Sequence, residues 1–248
     1  MGSDTGTNRI YIGTSGWNYR HWKGNFYPQN ISQKNWLQYY IKQGFNTVEL
    51  NSSFYHLPKN STYKKWYESV PEDFIYSIKA SRYITHIKKL HEAGDSVEKF
   101  FEGAKELKEK LGPVLFQLPP GWKFDAERLI NFTKILPVNH RYTFEFRNDT
   151  WWNEDIKKIL SEKNIAFCIY ELDGKITPKE ITSDFIYVRL HGPNGKYQGD
   201  YNKKVLSDWA YLIKEWESRR KDVFFYFDND ENGYAVKNAL ELNKLIKK

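Results

Sequence analysis

Polar residues spaced two apart near the ends of apolar runs are the feature of this sequence most suggestive of chemistry. The pairs are Glu49 with Asn51, Glu145 with Arg147, and Arg189 with His191. On a β-strand, residues two apart share a face, so each polar pair would point to one side while its apolar neighbours pack on the other. Carboxylates, an imidazole and guanidinium groups on one surface could transfer protons, bind a metal or hold an anion.

Three of these residues are the candidate catalytic groups, namely Glu49, Glu145 and His191. Other side chains at or just after the ends of apolar runs would bind the ligand beside them. These are Asn51, Lys79, Arg82, His86, Gln117, Arg147, Arg189 and Asp228. Arginine and lysine pair with carboxylate and phosphate oxygens, so the basic members of this set predict an anionic ligand.

Aromatic residues are the second unusual feature, at 17% of the chain. That content exceeds what an ordinary core needs and indicates rings that line a surface site, where bases or sugars could stack. The rings in loops after the predicted strands include Trp17, Tyr55, Trp151, Tyr197 and Tyr201. We predict that the first four of these rim a single cleft.

Eight short runs rich in β-branched and aromatic residues would form the strands that position these side chains. They span residues 10–14, 47–51, 74–79, 114–118, 142–147, 166–170, 185–191 and 223–228. Segments with helical periodicity separate most of them, although the sixth and seventh runs leave room for little more than one helical turn. Eight such units in about 250 residues predict an α/β fold, a single (β/α)8 TIM-like barrel with its site at the C-terminal ends of the strands. A doubly wound open sheet fits less well, because the first strand is not followed by G-x-G-x-x-G.

The chain as a whole, 248 residues long, fits one domain over residues 9–248, with no linker or shift in composition to divide it. Residues 1–8 are interpreted as a disordered terminus or a cloning scar, since they lack the basic and apolar regions of an export signal. No stretch approaches the ~18 apolar residues of a membrane span, so we expect a cytoplasmic protein without a membrane partner. The single cysteine, Cys168, lies in an apolar run and is predicted to be a buried hydrophobic residue.

The charges of the predicted barrel mouth balance in number, and this leaves a structural alternative open. The acids are Glu49, Glu145 and Asp228, and the bases are Lys79, Arg147 and Arg189. They could form internal salt bridges that fix the barrel geometry. A functional mouth is the preferred interpretation, because burying so many charges costs more than an apolar filling. The formal net charge of +7 suits an anionic partner, although a lysine-rich surface would produce it equally well.

A series of short motifs along the chain resembles the YecE-like family, catalogued as domain of unknown function 72. They include Gly13 to Trp17, Phe26 to Pro28, Val48 to Tyr55, Ile84 to His86, Gln117 to Pro120, Phe144 to Arg147, Arg189 to Gly192, and Tyr226 to Asn229. The resemblance implies a TIM-like barrel and marks candidate site residues, Asn229 among them, but it implies no reaction. The family often carries Asn where this chain has Asp228, which argues against a catalytic role for that carboxylate.

Three functions follow from these residues. The first is binding of an anionic, phosphate-bearing small molecule or a nucleic acid at the barrel mouth, with hydrolysis of a phosphate ester as one option. A divalent metal could assist there, since Glu49, Glu145, His191 and Asp228 form a mixed carboxylate and imidazole set. The second is a glycoside hydrolase that uses Glu49 and Glu145. The third is a scaffold or binding barrel without catalysis. Serine hydrolase chemistry is poorly supported, because no G-x-S-x-G elbow is present.

Overall fold

A computed structural model describes residues 9–247 of the chain, so the interpretation of residues 1–8 as a disordered terminus or cloning scar lies outside it. Nine strands are present: β1 Ile10–Thr14, β2 Thr47–Leu50, β3 Ile75–Lys79, β4 Leu111–Leu118, β5 Tyr142–Phe146, β6 Ala166–Leu172, β7 Lys175–Ile176, β8 Phe185–Leu190 and β9 Asp222–Phe227. The helices are α1 Trp36–Lys42, α2 Ser52–Tyr55, α3 Asn60–Glu68, α4 Gly94–Ala104, α5 Ala126–Lys134, α6 Glu154–Glu162, α7 Lys203–Ser218 and α8 Tyr234–Ile246. A π-helical turn spans Tyr83–Ile87.

The sheet is a nearly closed barrel of eight parallel strands with helices around it, which confirms the predicted α/β architecture. The strands pair in the order β1, β9, β8, β6, β5, β4, β3, β2, and the two-residue β7 adds an antiparallel hairpin to β6. That hairpin occupies the connection between the sixth and seventh barrel strands, where the sequence leaves room for little helix. None of the helices in the described residues is long and apolar enough to cross a membrane.

The outer helices begin where their sequences provide capping side chains. Asp125, Asn153 and Asn202 each accept a hydrogen bond from a backbone N–H in the first turn of α5, α6 and α7. Such a bond satisfies a donor that the helix itself leaves free, and it stabilises a helix by about 1 kcal/mol. The apolar stripe of each helix then packs on the outward-facing strand residues, which form the larger of two apolar clusters.

The barrel interior has layers that follow the two-residue alternation of the strands. Its lower part is aromatic, since Tyr11 stacks on Phe224 with ring centroids 4.7 Å apart. The middle is hydroxyl-rich, and the Tyr226 hydroxyl lies 2.7 Å from Thr47 Oγ1 and 2.8 Å from Ser77 Oγ. Above these layers, toward the C-terminal ends of the strands, the interior becomes charged.

The junction between β1 and β2 is closed by a side chain. Among the described residues no backbone ladder joins these two strands. Instead, the hydroxyl of Tyr40 from α1 accepts a hydrogen bond from Thr14 N at 3.0 Å and donates to Thr47 O at 3.1 Å. Gly13 permits this close approach, because a Cβ at that position would lie 2.4 Å from Thr47 O. The tyrosine thus replaces one rung of the missing ladder.

Candidate functional site

The guanidinium of Arg189 is the centre of the charged layer. Arg189 is 1% exposed at the end of β8, and its Nη2 donates to Glu49 Oε1 at 2.8 Å and to Asp228 Oδ2 at 3.1 Å. Its Nη1 donates to Glu145 Oε2 at 2.6 Å. Three carboxylates from β2, β5 and the end of β9 therefore converge on one cation. Their charges are the reason that the pKa of Arg189 is raised well above its ordinary value although burial alone would lower it.

Glu145 is fully buried and is shared by two arginines. Burial raises the pKa of a carboxyl group, but the guanidinium groups of Arg147 and Arg189 outweigh that effect and hold the pKa of Glu145 well below its ordinary value. Its Oε1 accepts from Arg147 Nε and, at 2.7 Å, from Gln117 Nε2. Glu145 is consequently an anion at neutral pH, because each oxygen has a charged donor.

The hydrogen-bond directions at His191 are determined by its neighbours. Its Nε2 faces Arg147 Nη2 at 2.9 Å and Arg189 Nη1 at 3.3 Å, and both of these atoms can only donate. Nε2 therefore accepts from the guanidinium groups, and Nδ1 donates to Asp228 Oδ2 at 2.9 Å. Neither ring nitrogen is left for a substrate.

Lys79 differs from every other charge in this layer, since it has no partner of opposite sign. It lies at the end of β3, it is 8% exposed, and its Nζ lies 4.2 Å from the centroid of the Phe54 ring. Within the described part of the chain, Nζ has no hydrogen-bond acceptor and no carboxylate at ion-pair distance. The other buried lysine, Lys110, shows the usual arrangement, because its Nζ donates to the carbonyl oxygens of Tyr67 and Val70, both at 2.7 Å.

The environment of Lys79 disfavours its charge. Desolvation is the largest cause and the nearby Arg189 the next, and they outweigh the charges of Glu145, Glu49 and Asp228, so that the pKa of Lys79 is lowered to about 8. Since an ordinary lysine has a pKa near 10.4, this amine loses its proton in a pH range where surface lysines remain charged.

A cleft of about 490 Å³ opens at the C-terminal end of the barrel, over β4, β5 and β6. Its lining includes His86, Gln117, Arg147, Asp149, Trp152, Tyr170, Lys175, Lys196 and Tyr197. Arg147 forms part of its floor, with its guanidinium carbon 4.6 Å from the centroid of the Tyr170 ring. A second groove of the same volume, between residues 90–94 and α5, contains none of the charged residues of the barrel interior.

His86 reaches the cleft from the π-helical turn after β3. π-Helical turns are rare and occur often at functional sites. Burial lowers the pKa of His86 to about 4, and the charges of Lys79, Arg82 and Arg147 add to this effect, so the imidazole is neutral at pH 7. The Thr85 hydroxyl donates to Ser81 O at 3.3 Å and lies 2.9 Å from His86 Nδ1. Nδ1 is therefore engaged within the protein, and Nε2 is the ring nitrogen that is left for a ligand.

Several predicted binding roles need correction. Arg189 was expected to hold a ligand anion, but its donors are all directed at protein acceptors and it is buried. The four acidic or imidazole groups Glu49, Glu145, His191 and Asp228 were considered as a metal set, yet Arg189 lies among them. Within residues 9–247 no group of three or more His, Cys, Asp or Glu side chains could hold a metal ion. These residues do not fit a metal centre, because a guanidinium occupies the space between the carboxylates.

The prediction that four rings rim one cleft is wrong. Tyr197 lines the cleft, but Trp151 is fully buried and stacks on Phe146 with centroids 4.9 Å apart. Trp17 lies in a separate groove, edge-on to Trp66 at 6.1 Å. Tyr55 is 71% exposed and does not line the cleft. Of the four rings, only Trp151 is part of the hydrophobic core, and the loops place Trp17 and Tyr55 outside the cleft.

Two further predicted ligand residues, Tyr201 and Asn229, have hydrogen-bond partners within the protein, whereas the side-chain oxygen of Asn51 has none among the described residues. The Tyr201 hydroxyl accepts from Gly192 N at 2.9 Å, and Asn229 Nδ2 donates to Gly199 O at 2.8 Å. Both side chains are buried and support the loop after β8. Asn51 follows β2 with a buried Oδ1 that has no hydrogen-bond partner. Arg82, by contrast, is exposed at the start of the π-helical turn.

Tyr170 and the cleft lysines Lys175 and Lys196 were not singled out from the sequence. Tyr170 could have been found, because it lies two residues after Cys168 on β6 and so shares the interior face. The two lysines lie in loops whose course depends on the β7 hairpin, and no local pattern points to them.

The shared carboxylates predict a loss of stability in acid. The pKa values of Glu145 and Asp228 are lower in the folded chain than their unfolded values near 4.3 and 3.9, so they contribute stability above those values. That contribution disappears as the pH falls through the folded pKa values. We expect the free energy of unfolding, measured in urea, to decrease steeply below about pH 4. The decrease should be shallower in Asp228→Asn, and an unchanged stability down to pH 3 would contradict the network.

Comparison with known proteins places this architecture among uncharacterised relatives. A family model described as "Protein of unknown function DUF72" matches residues 11–248. UPF0759 protein YunF of Bacillus subtilis is 27% identical over 270 aligned positions, covering 96% of this chain and 94% of its own length. UPF0759 protein YecE of Escherichia coli K12 is 29% identical over 140 positions, which cover 56% of this chain and 48% of that protein.

Solved structures agree with the fold. The crystal structure of a DUF72 family protein from Thermotoga maritima superimposes with a TM-score of 0.88 at 27% identity, covering 97% of this chain and all of the other. A DUF72 family protein from Enterococcus faecalis gives a TM-score of 0.82 at 19% identity, over 96% of each chain, and shows the fold alone.

Proposed function

The chain belongs to the DUF72 family of proteins of unknown function, and from that premise we propose that its barrel mouth binds a small anionic ligand, a carboxylate or a phosphate ester, beside Lys79. The observation that carries this proposal is the missing partner of Lys79. A cation that is 8% exposed loses most of its hydration, and proteins ordinarily compensate with an acceptor or a counter-ion. An anionic ligand would supply that counter-ion.

The surroundings of His86 support the same ligand. Lys79, Arg82 and Arg147 all lower the pKa of this imidazole, which means that three cations act on one corner of the cleft. Glu145, which is paired with Arg147, acts in the opposite direction on the pKa of His86, but its effect is smaller than those of the three cations. Lys79 is not among the lining residues of the cleft, but it contacts the same Phe54 ring as His86, which does line it. A carboxylate or phosphate placed against His86 would therefore be close to Lys79, which has no close carboxylate partner among the described residues, and to Arg147 in the cleft lining.

A small molecule suits the cleft better than a nucleic acid does. The volume of about 490 Å³ is that of a ligand pocket. Its rim alternates in sign, with Asp149 and Asp173 near Lys175 and Lys196, whereas a nucleic-acid surface requires a continuous basic track. Hydrolysis is not included in the proposal. Glu49, Glu145 and His191 have their polar atoms engaged by protein donors and acceptors, and the pKa of Glu145 is too low for the general acid of a glycosidase.

Replacing Lys79 by methionine tests the proposal. We expect Lys79→Met to weaken the binding of inorganic phosphate and of citrate at least tenfold, as expected for a charge-assisted hydrogen bond of about 1.5–3 kcal/mol. Affinity is measured by isothermal titration and by thermal denaturation at constant ionic strength. Because the substitution removes an unpaired buried charge, the free energy of unfolding of the ligand-free variant should equal or exceed that of the unmodified protein.

The matched control is Lys64→Met, which removes a side chain that is 60% exposed and paired with Glu106 outside the barrel. It should leave anion binding unchanged. Equal affinities for phosphate in the unmodified protein and Lys79→Met would refute the proposal. Stabilisation by neutral sugars and not by anions would favour a carbohydrate site instead.

A further inference from the structure

We propose that Lys79 is a covalent site, at which the side-chain amine condenses with the carbonyl carbon of a small anionic aldehyde or ketone, such as a 2-oxo acid, to form an iminium. The inference rests on the proposed anion site and adds to it a substrate class and a bond. It depends on the position of Nζ, its lack of partners and the groups around it.

Nζ of Lys79 is free to react because nothing in the described chain holds it. Lysines that serve a structural role are fixed by acceptors, as Lys110 is by two carbonyl oxygens. Nζ of Lys79 contacts the face of Phe54, and an aromatic face imposes little directional constraint. The residue lies at the C-terminal end of a barrel strand, on the interior side, where barrel enzymes place their reacting groups.

The amine is also partly unprotonated near neutral pH. With its pKa lowered to about 8, roughly a quarter of Lys79 would be the free amine at pH 7.5, compared with about 0.1% of an ordinary lysine. Desolvation and a neighbouring cation, here Arg189, are the two means by which proteins activate a lysine as a nucleophile. Burial of the Lys79 side chain therefore disfavours its charged form and favours the unprotonated amine that can act as a nucleophile.

Condensation at this site consumes no net proton. The ammonium first releases one proton to solvent. The nitrogen lone pair then attacks the carbonyl carbon, and the C=O π pair moves to oxygen, which takes up a proton from the nitrogen. The carbinolamine hydroxyl takes back the proton that was released to solvent and leaves as water, while the nitrogen lone pair forms the C=N bond. The sum is R–NH3⁺ plus carbonyl compound giving R–NH⁺=C plus water. Arg147, which lines the cleft, and the exposed Arg82 are the guanidinium groups that would bind the carboxylate of a 2-oxo acid.

The step after iminium formation would remove a proton from the neighbouring carbon, with His86 as the base. His86 and Lys79 both contact the Phe54 ring, the imidazole edge-on with centroids 5.1 Å apart. In the tautomer with its proton on Nδ1, the His86 Nε2 accepts a proton from the carbon next to the iminium. The C–H electron pair then forms the C=C bond of an enamine as the C=N π pair returns to nitrogen. The site would thus exchange hydrogen at that carbon.

Reductive trapping tests the inference. The full-length protein is incubated with pyruvate and sodium cyanoborohydride at pH 7.5, and modified lysines are located by peptide mass spectrometry. We expect the peptide containing Lys79 to be modified at least tenfold faster than peptides with exposed lysines. Lys64→Met should retain the adduct and Lys79→Met should lose it. Incorporation of deuterium into the pyruvate methyl group, followed by NMR, should occur with the unmodified protein and be lost in His86→Asn, which should still be trapped at Lys79.

Lys79→Arg separates the two proposals, because it keeps the charge and removes the reactive amine. Stabilisation by phosphate in this variant together with loss of the adduct supports the covalent site. Absence of a Lys79 adduct in the unmodified protein, while phosphate binding still depends on Lys79, overturns the covalent site and leaves the anion site intact. Modification of lysines in simple proportion to their exposure also overturns it. If phosphate binding does not depend on Lys79 either, both proposals fall.

Discussion

Replacing Arg189 by methionine is expected to lower the free energy of unfolding by about 3–5 kcal/mol, the usual cost of removing one partner from a buried charge network. The guanidinium is the shared partner of Glu49, Glu145 and Asp228, and two of these carboxylates are fully buried. Without it, three negative charges face one another in a space from which water is excluded. Equilibrium urea unfolding followed by tryptophan fluorescence measures the loss.

A matched control is Arg128→Met, since Arg128 forms a salt bridge with Asp125 in which both side chains are 35% exposed. Removing that exposed pair should change the free energy of unfolding by less than about 1 kcal/mol. Neutralising a carboxylate that has lost its arginine partner should restore part of the free energy of unfolding. Arg189→Met combined with Glu145→Gln should therefore be more stable than Arg189→Met alone. Equal destabilisation by the Arg128 and Arg189 substitutions would mean that the interior network does not hold the barrel together.

The second large effect is expected at Gly13. In Gly13→Ala the new Cβ would lie 2.4 Å from Thr47 O and 3.0 Å from the Tyr40 hydroxyl, so β1 must move away from β2 or the bridging tyrosine must leave. Overpacking of this kind costs about 3 kcal/mol, because the obstacle is backbone that cannot rotate aside. The loss is measured by thermal and urea unfolding.

Gly94→Ala provides the comparison, because a Cβ there meets nothing within 4 Å at the start of α4. An alanine in a helix restricts the unfolded chain, and it should stabilise the protein by about 0.5–1 kcal/mol. If Gly13→Ala and Gly94→Ala change the free energy of unfolding in the same direction, the close contact between β1 and β2 does not determine the stability of the barrel.

Local patterns were sufficient to predict the fold and the direction of the interior side chains. The alternation around Glu145 and Arg189 specifies which face is polar, and eight such runs separated by helices suggest a barrel. The pairing of the charges could not be predicted in this way. Arg189 meets carboxylates that lie 140, 44 and 39 residues away in the chain, and only the closed barrel brings them together.

Lys79 and Arg189 were given the same predicted role because local sequence patterns do not show which distant residues pair with each of them. Each is a basic residue at the end of an apolar run, and each was expected to bind the ligand. The two residues differ in the number of carboxylates that contact them. That number depends on the side chains of neighbouring strands. Trp151 illustrates a related limit, since a tryptophan after a strand can cover the core or line a cleft, depending on how the loop folds.

The Tyr40 bridge between β1 and β2 affects the tendency of this protein to aggregate. Because the backbone ladder stops there, the sheet has two edges, and a free edge is a template on which a strand of another molecule can pair. Here each edge strand shields the other across the short gap that Gly13 allows and the Tyr40 hydroxyl spans. Variants that open this gap should therefore aggregate through intermolecular β-pairing before the rest of the barrel unfolds.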